Sequence, residues 1–232
     1  MIFWSRVKRQ GDFWGREDKV FHRHIKHFNP DVVVLSDIHQ DLQFKAGIGY
    51  ENFDSFLLKE AREYAENGDG VTYLVFNVLS DEYGSEVYRE LVSYYTLSAT
   101  AIPYIDRIRL DEEEVNQTGE KYSKEIWGIS ALEIKMFAVD EKYQDVFFEY
   151  EGEDLPVAAW IIRNIINETS VLMNRVVGFK ALFLHAIPDA EEFYQKNGFN
   201  PMKINMQPLQ SIDSEYTAMY LTLKEVYMNY EE

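Results

Sequence analysis

Apolar residues dominate one stretch near the C-terminal end of the chain, and small and polar residues mark its limits. The run Val177–Ile187 is apolar almost throughout, a pattern typical of a buried strand. Only two polar residues interrupt it, Lys180 and His185. A short helix is predicted over Ala190–Asn197, with Gly198 at the position of a left-handed C-terminal cap. Phe199 then returns to the core, so the stretch predicts strand, helix and strand.

Continuous or alternating apolar runs elsewhere predict further strands, and apolar residues at three- and four-residue spacing predict helices. The predicted strands are Asp31–Ile38, Val71–Leu79, Leu91–Ile102, Ala131–Val139 and Thr217–Tyr227. The second and third of these are expected to form an antiparallel hairpin. The predicted helices are Arg16–Phe28, Tyr50–Asn67 and Asp154–Met173, the last capped by Asp154. Residues 106–126 are rich in charge and are predicted to be an excursion between strands.

The composition indicates a folded globular protein. Of 232 residues, 46% are hydrophobic and 27% are charged. No apolar run approaches the ~20 residues that span a bilayer, and the N-terminal residues lack the apolar core of a signal peptide. Cysteine is absent, which excludes disulfides and thiolate metal sites and favours a cytoplasmic protein.

The charge is strongly negative and unevenly placed. The net charge of −17 argues against general binding of nucleic acid or an anionic membrane. Residues 1–30 nevertheless carry seven basic and three acidic residues, which leaves −21 on the rest. The acidic body could attract a cationic amine, or it could simply keep the protein soluble.

Three histidines lie in the basic N-terminal segment. His24 and His27 would share one face of the predicted helix, a spacing compatible with a metal site. Because no carboxylates stand at supporting positions, we expect a basic docking helix there and no metal.

Tyr194 lies on the short helix that follows the buried strand. A tyrosine there can direct its hydroxyl into a cleft at the C-terminal end of the strand, where ligands bind in α/β sheets. The alternative is that Phe193, Tyr194 and Phe199 only fill the core.

Glu133 is a carboxylate inside the predicted strand Ala131–Val139. Strict alternation would place it opposite the apolar side chains of Leu132, Ile134, Met136 and Ala138. In a partly apolar cleft its pKa would be raised, which would make it a base near neutrality. The alternative is a solvent-facing glutamate.

Three segments resemble GNAT-type N-acetyltransferases. FYQKNGF, with the strand and helix before it, is similar to the C-terminal signature of that family. FDSFLLKEAREYA, GVTYLVFNV and ELVSYYTLS resemble the N-terminal half of one branch, and EIKMFAVDEKYQ resembles the central strand. The resemblance covers about residues 50–227 of a single domain, and residues 1–49 match it weakly.

The resemblance implies an α/β (α+β) fold, with a mixed, mostly antiparallel central sheet flanked by helices. A splay between the central strand and the Val177 strand would hold acetyl-CoA as the acyl donor. The backbone of Phe137, Ala138 and Val139 would bind the pantetheine arm. Tyr194 would lie beside the sulfur as the general acid, and Glu133, six residues before Val139, would be the base. The acceptor would be a primary amine.

The phosphate-binding loop departs from the family pattern. Gln144 fits the first position of the Gln/Arg-x-x-Gly-x-Gly/Ala motif, but Phe147 and Glu149 stand where glycines should be. Ile187 replaces an asparagine that many members have near the coenzyme. The carboxylates of this loop are Asp145, Glu149, Glu151, Glu153 and Asp154, and Gly152 is its only glycine.

Two functions stay open on these grounds. In the first, the backbone around Gly152 holds the pyrophosphate and the protein is an acetyltransferase. In the second, coenzyme binding is weakened or lost, and the protein acts by binding, with residues 1–30 as a docking arm. A small molecule, a peptide N-terminus, a lysine or an aminoacyl-tRNA could supply the amine, the last being disfavoured by the acidic charge. A homodimer is also compatible with the sequence.

Overall fold

The computed structural model describes residues 23–80, 86–109, 115, 118–119, 121–203, 206 and 216–223. Its strands are β1 Arg23–His24, β2 Pro30–Val34, β3 Val71–Ser80, β4 Glu86–Arg109, β5 Tyr122–Val139, β6 Val146–Tyr150, β7 Glu153–Pro156, β8 Ala181–Ala186, β9 Asn200–Pro201 and β10 Thr217–Thr222. Its helices are α1 Glu51–Ser55, a π-helical turn Phe56–Glu60, α2 Ala61–Glu66, α3 Val157–Arg175, a 3₁₀ turn Pro188–Ala190 and α4 Glu191–Lys196.

A seven-stranded sheet forms the centre of the molecule. Its strand order is β2-β3-β4-β5-β8-β10-β9, and every neighbouring pair is antiparallel except β5–β8, which is parallel. A separate three-stranded sheet has the order β1-β6-β7. The predicted mixed, mostly antiparallel sheet flanked by helices is therefore confirmed.

The β4–β5 hairpin is much longer than the sequence pattern predicted. Residues 106–109 and 122–126 continue the two strands, so the predicted excursion is wrong for them, and residues 110–114 lie outside the described part. β3 pairs with β4 only as far as Leu97, and β8 pairs with β5 only from Ala131 onward. Residues 101–109 and 122–130, here named the ribbon, therefore extend past the sheet. Because much of the ribbon is exposed on both faces, its sequence lacks the apolar alternation of a half-buried strand.

The helices are largely where the apolar spacing placed them. α1, the π-helical turn and α2 run without a break through the predicted Tyr50–Asn67 segment and bury Phe53, Phe56, Leu57 and Ala61. α3 begins at Val157, three residues after the predicted cap. Asp154 does not cap it, because Asp154 lies in β7 opposite Glu149.

Several strand and helix limits also need correction. Residues 23–24 form β1, which pairs with β6, so the predicted helix Arg16–Phe28 is wrong there, and its first seven residues lie outside the described part. β2 ends at Val34 and β8 begins at Ala181, so both strands are shorter than predicted. β10 ends at Thr222 and pairs with β9 directly after Phe199, and residues 224–227 of the predicted last strand lie outside the described part.

Two apolar clusters stabilise the sheet. The larger one joins α1, α2, α3 and α4 to the sheet and contains the buried side chains of Leu182, Leu184 and Ala186. The smaller one contains Ile102, Ala131, Ala181, Phe183 and Met206. β8 therefore contributes alternate residues to two different clusters, as a strand buried on both faces does. Among the described residues no helix is both long enough and apolar enough to cross a membrane.

Candidate active site

The parallel pair β5–β8 opens into a fork. Only three residue pairs join the strands, Ala131–Ala181, Leu132–Leu182 and Glu133–Phe183. Beyond Glu133, β5 stays with β4 as far as Val139, whereas β8 stays with β10. The predicted splay between these strands is thus present. It leaves the facing edges of two buried strands without their usual partner.

The β5 edge of the fork can donate backbone hydrogen bonds. The Ala138 carbonyl accepts a hydrogen bond from the Ser93 hydroxyl at 2.6 Å, and the N–H of Asp140 donates to Val92 at 2.8 Å. These groups therefore face β4. Since backbone groups alternate along a strand, those of Phe137 and Val139 face the fork. Of the three residues predicted to bind the pantetheine arm, Phe137 and Val139 therefore face the fork, whereas the carbonyl of Ala138 faces β4.

A β-bulge in β5 interrupts the predicted alternation. Thr96 pairs with Met136 and Leu97 pairs with Ile134, which leaves Lys135 as the extra residue. The ammonium of Lys135 lies 3.5 Å from a carboxylate oxygen of Glu133. The strict alternation of faces through Val139 is therefore wrong beyond residue 134, because the bulge adds one residue to one strand only.

Tyr194 is fully buried on α4. Its ring makes edge contacts with Phe193 and Phe199 at centroid distances of 5.0 and 5.7 Å. Its hydroxyl has no hydrogen-bond partner within the described part of the chain. Burial raises the pKa of Tyr194 well above its ordinary value of 10, so the hydroxyl keeps its proton at neutral pH. The sequence was compatible with a hydroxyl directed into a cleft or with a core aromatic, and the Tyr194 side chain has no exposed surface in the structure.

The local backbone explains the placement of Tyr194. The 3₁₀ turn after β8 leads directly into α4, and Gly198 ends the segment at φ 89°, the left-handed cap that was predicted. A buried hydroxyl without a partner costs stability, and native proteins rarely keep one. The Tyr194 hydroxyl is therefore a group for which a ligand could supply the missing partner.

Glu133 lies at the point where the fork opens. Its side chain is nearly buried, and one of its oxygens lies 3.5 Å from His185 Nδ1 as well as from Lys135 Nζ. Burial raises the pKa of Glu133, but the hydrogen bond with His185 and the attraction of Lys135 and His185 outweigh burial and leave that pKa below its ordinary value. The expected rise is therefore wrong, because a hydrogen bond with His185 and the nearby Lys135 ammonium favour the ionised carboxylate. At neutral pH Glu133 is a carboxylate and a weak base.

His185 is the residue of this site that sequence analysis missed. It faces the ring of Phe183 edge-on at 4.7 Å, and its second nitrogen, Nε2, is buried with no partner in the described residues. The available signal was a histidine within an otherwise apolar strand. That signal could not show that a glutamate 52 residues earlier in the chain lies beside it.

Gln144 and Gly152, both predicted to bind the coenzyme, lie in different surroundings. The Gln144 side-chain amide donates to the carbonyls of Ala46 at 2.7 Å and Val139 at 3.1 Å, so it ties a loop to the end of β5. Gly152 and Glu151, at φ 85° and 53°, form the two-residue turn of the β6–β7 hairpin. The loop expected around Gly152 is thus a hairpin with an exposed acidic tip.

The first turn of α3 is better suited to an anion than the hairpin. This 19-residue helix begins directly after β7, has Pro156 at its N-cap, and has neither a side-chain cap nor an acidic residue in its first turn. The N–H groups of a first helical turn lack intrahelical partners and attract anions. The first turn of α3 therefore offers backbone N–H donors without the glycines of the family motif, and the side chains of Val157 and Ala158 are fully buried.

Two surface grooves lie away from these residues. One, of about 520 Å³, is bordered by β2, β3, β4 and α3, and the other, of about 490 Å³, by residues near β1, β3 and β6. Neither is lined by Tyr194, Glu133 or His185. Within the described residues no group of three or more histidines and carboxylates is placed to hold a metal ion.

Comparison with known proteins identifies the fold. No protein-family profile matches the sequence, and no curated protein is detectably similar to it. AtaTR bound with AcCoA superposes with a TM-score of 0.56 at 19% identity, covering 87% of this chain and 98% of that one. AtaT complexed with acetyl-methionyl-tRNAfMet superposes with a TM-score of 0.51 at 17% identity, covering 87% of this chain and 99% of that one. A tyrosine-to-phenylalanine mutant of KacT superposes with a TM-score of 0.52 at 14% identity, covering 86% of this chain and 98% of that one. The chain therefore has the fold of the GNAT-type acetyltransferases.

Proposed function

We propose that the protein transfers an acetyl group from acetyl-CoA to a primary amine. Two observations carry this proposal: the fork, and the buried Tyr194 hydroxyl, unpartnered within the described residues, on α4, the helix that follows β8. Acetyl-CoA supplies an activated acetyl thioester. An extended pantetheine arm could take the place of the missing strand along the β5 edge, and a sulfur near Tyr194 would give its hydroxyl a partner.

The residues of the fork have separate roles in this proposal. The N–H of Val139 faces the gap and can polarise the thioester carbonyl by donating a hydrogen bond. Tyr194 holds a proton that it can give to the departing sulfur. Glu133 places a negative charge at the entrance of the fork, where an ammonium group would be stabilised.

The phosphates of the donor are assigned to the first turn of α3. Three features support this: the N–H groups of Val157, Ala158 and Ala159, the absence of acidic residues there, and the small side chains of the two alanines. The carboxylates of the β6–β7 hairpin are exposed at its tip. Binding through α3 therefore does not need the backbone of Gly152.

We further propose that the acceptor amine is carried by an aminoacyl-tRNA. The likeness to AtaT, solved with acetyl-methionyl-tRNAfMet, supports this class of acceptor. The ribbon gives a second support. Arg107 and Lys124 lie directly opposite each other and are exposed, whereas Asp106 and Glu125 pair one step away and so lie on the other face. Like charges placed opposite weaken a strand pair, and a phosphate between the two cations would relieve that repulsion.

This assignment replaces the expectation from net charge alone. A chain with a net charge of −17 repels nucleic acid on average. One basic face of an extended hairpin can still contact a phosphate backbone. Charge reversal of Arg107 and Lys124 together should raise the KM for methionyl-tRNA about tenfold or more, because two phosphate contacts are lost. The matched control neutralises Asp106 and Glu125 on the other face and should leave that KM unchanged. Equal KM values for both double variants would remove the ribbon from acceptor binding.

Thiol release from acetyl-CoA tests the reaction directly. The chain has no cysteine, so a thiol reagent detects only the coenzyme product. Methionyl-tRNA, a lysine peptide and a small polyamine serve as acceptors in parallel. Acceptor-dependent thiol release supports acetyl transfer, and its rank order among the three acceptors identifies the class.

A binding protein without activity is the second candidate. The acidic hairpin in place of the glycine loop favours it, as does the Gln144 amide, which already bonds two carbonyls. On this account acetyl-CoA neither binds nor reacts, and no acceptor releases thiol.

A further inference from the structure

We infer that His185, held in place by Glu133, is the base that takes a proton from the acceptor amine. The inference rests on the proposed acetyl transfer and changes the role expected of Glu133. Glu133 becomes a positioning residue that acts through the imidazole ring. His185 becomes the group that touches the acceptor.

The two side chains meet across the opening of the fork. Glu133 belongs to the last β5–β8 pair, opposite Phe183, and His185 lies two residues beyond Phe183 on the same side of β8. Nδ1 of His185 lies 3.5 Å from the Glu133 carboxylate, and both side chains are largely enclosed, with 15% and 12% of their surfaces exposed. Contacts of this kind are often long in the absence of substrate and shorten when it binds.

The chemistry of Glu133 determines which ring nitrogen is the base. An ionised carboxylate can only accept a hydrogen bond, so Nδ1 of the neutral ring must carry the proton. Nε2 then keeps its lone pair. This is the atom that is buried and has no partner within the described residues. A carboxylate that fixes the tautomer and stabilises the protonated ring is a common arrangement for a histidine base.

Within the described part of the chain, few other groups that titrate face the ring. Lys135 on β5 lies beside the same carboxylate oxygen of Glu133. On β10, Tyr220 stands opposite Phe183 on the same side of the sheet, and Ala218, which does not titrate, stands opposite His185. The position of the carboxylate next to Nδ1 makes Glu133 the main influence on the ring.

The residues that carry the two unpartnered atoms lie with different apolar clusters. Tyr194 belongs to the larger apolar cluster, whereas Phe183, the neighbour of His185, belongs to the smaller one. The acceptor could therefore meet His185 while the sulfur meets Tyr194. His185 Nε2 takes one proton from the neutral amine as the new C–N bond forms. The C–S bond breaks with its electron pair on sulfur, Tyr194 gives its proton to that sulfur, and solvent carries the proton of His185 back to the tyrosine oxygen.

The tautomer of His185 gives a test that needs no acceptor. In the full chain labelled with ¹⁵N-histidine, the ring signals of His185 are those missing from His185→Gln. The neutral ring should carry its proton on Nδ1, and Glu133→Gln should abolish that preference, since an amide can also donate. A proton on Nε2 in the wild-type protein would overturn the inference.

Turnover gives the second test. His185→Gln should lower thiol release about 100-fold or more. The rate of the wild-type protein should fall in acid as the ring takes up a proton, and the variant should lose that pH dependence while binding acetyl-CoA as well as the wild type. His39→Gln, which changes a histidine remote in sequence from the fork, is the matched control and should keep the wild-type rate.

The outcomes separate the two proposals. A wild-type protein that neither binds acetyl-CoA nor releases thiol contradicts the acetyl transfer itself. An active wild-type protein whose His185→Gln variant keeps its rate and pH profile contradicts only the role of His185. If His185→Gln does not fold, the rate and pH profile of Glu133→Gln decide: a slower rate with an altered pH profile supports the inference, and an unchanged rate and profile contradict it.

Discussion

Two tyrosines, each buried to the same degree, differ in what their hydroxyls do. Tyr94 on β4 has no exposed surface, and its hydroxyl donates to the carbonyl of Phe53 in α1 at 2.9 Å. Tyr194 on α4 has no exposed surface either, but its hydroxyl has no partner among the described residues. Burial raises the pKa of Tyr94 and the pKa of Tyr194 well above 10, so titration does not separate them. The two tyrosines differ in their hydrogen-bond partners. The Tyr94 hydroxyl joins β4 to α1, whereas the Tyr194 hydroxyl is a donor that a ligand could use.

The largest expected effect concerns activity and would break this comparison if it failed. Tyr194→Phe should lower acetyl transfer about 100-fold or more, because the sulfur loses its proton donor. Tyr94→Phe should keep most of the wild-type rate. Thiol release under saturating acetyl-CoA measures both variants. Equal rates in the wild type and Tyr194→Phe would mean that Tyr194 only fills the core and is not the proton donor.

The second effect concerns stability and should have the opposite order. Tyr94→Phe should lower the free energy of unfolding by about 1 kcal/mol, because it removes a satisfied buried hydrogen bond. Tyr194→Phe should leave that free energy unchanged or raise it slightly, since it removes a buried hydroxyl without a partner. Urea unfolding of the three proteins, followed by circular dichroism, decides this. A larger loss in Tyr194→Phe than in Tyr94→Phe would mean that the Tyr194 hydroxyl has a structural partner.

The third effect sharpens the account of the fork through its pH dependence. The pKa of Glu133 is below the ordinary value of 4.5 in the folded protein. Glu133 therefore contributes stability that is present above the unfolded pKa and is lost as the pH falls through the folded one. The wild type should be more stable than Glu133→Gln at pH 7, and the difference should shrink below about pH 4. A difference that grows in acid would mean that burial, which favours the protonated acid, is the stronger influence on Glu133.

The smallest effect tests where the donor phosphates lie. Gly152→Ala should destabilise the protein by about 1 kcal/mol, because φ 85° suits glycine and disfavours alanine. The affinity for acetyl-CoA should stay within about twofold if α3 holds the phosphates. A tenfold weaker affinity would move them to the hairpin turn. Calorimetry and urea unfolding of the same variant give both quantities.

The helix that carries Tyr194 could be predicted from the sequence because its neighbourhood is local. About twenty consecutive residues contain the strand, the 3₁₀ turn, the short helix and the Gly198 cap. Each of these has a recognisable pattern in the sequence. The fork could not be found from periodicity, since it depends on where two distant strands stop pairing. It was expected only because the family resemblance implied it.

The bulge and the ribbon show why strand predictions failed elsewhere. At the bulge, β5 has one extra residue, Lys135, that has no counterpart in β4. No residue type in the sequence predicts that shift of register. Much of the ribbon is exposed on both faces, so charged residues occupy positions that a half-buried strand would fill with apolar ones. In both places pairing with the neighbouring strand, and not local preference, sets the structure.

The β6–β7 hairpin had a readable signal that the family pattern obscured. Glu151 and Gly152 separate the short runs Val146–Tyr150 and Glu153–Pro156, and a glycine in such a two-residue connection is a signal of a hairpin turn. Treating these residues as a phosphate loop led to the expectation that Gly152 binds the donor. Phe147 pairs with Pro156 and Tyr150 pairs with Glu153, so this segment is a hairpin and the expected phosphate loop is wrong. In the proposal the first turn of α3 binds the phosphates instead.

The measurement that tests the central claim most directly is calorimetric titration of the full chain with acetyl-CoA, with desulfo-CoA alongside. We expect micromolar affinity for acetyl-CoA in the wild type and in Tyr194→Phe, because the phosphates and the pantetheine arm supply most of the contacts. Desulfo-CoA lacks the sulfur that would contact Tyr194, so the wild type should bind it less tightly than it binds acetyl-CoA. The wild type and Tyr194→Phe should bind desulfo-CoA equally well. Absence of binding at millimolar coenzyme would contradict the proposal that the fork is an acyl-donor site and would favour a binding protein.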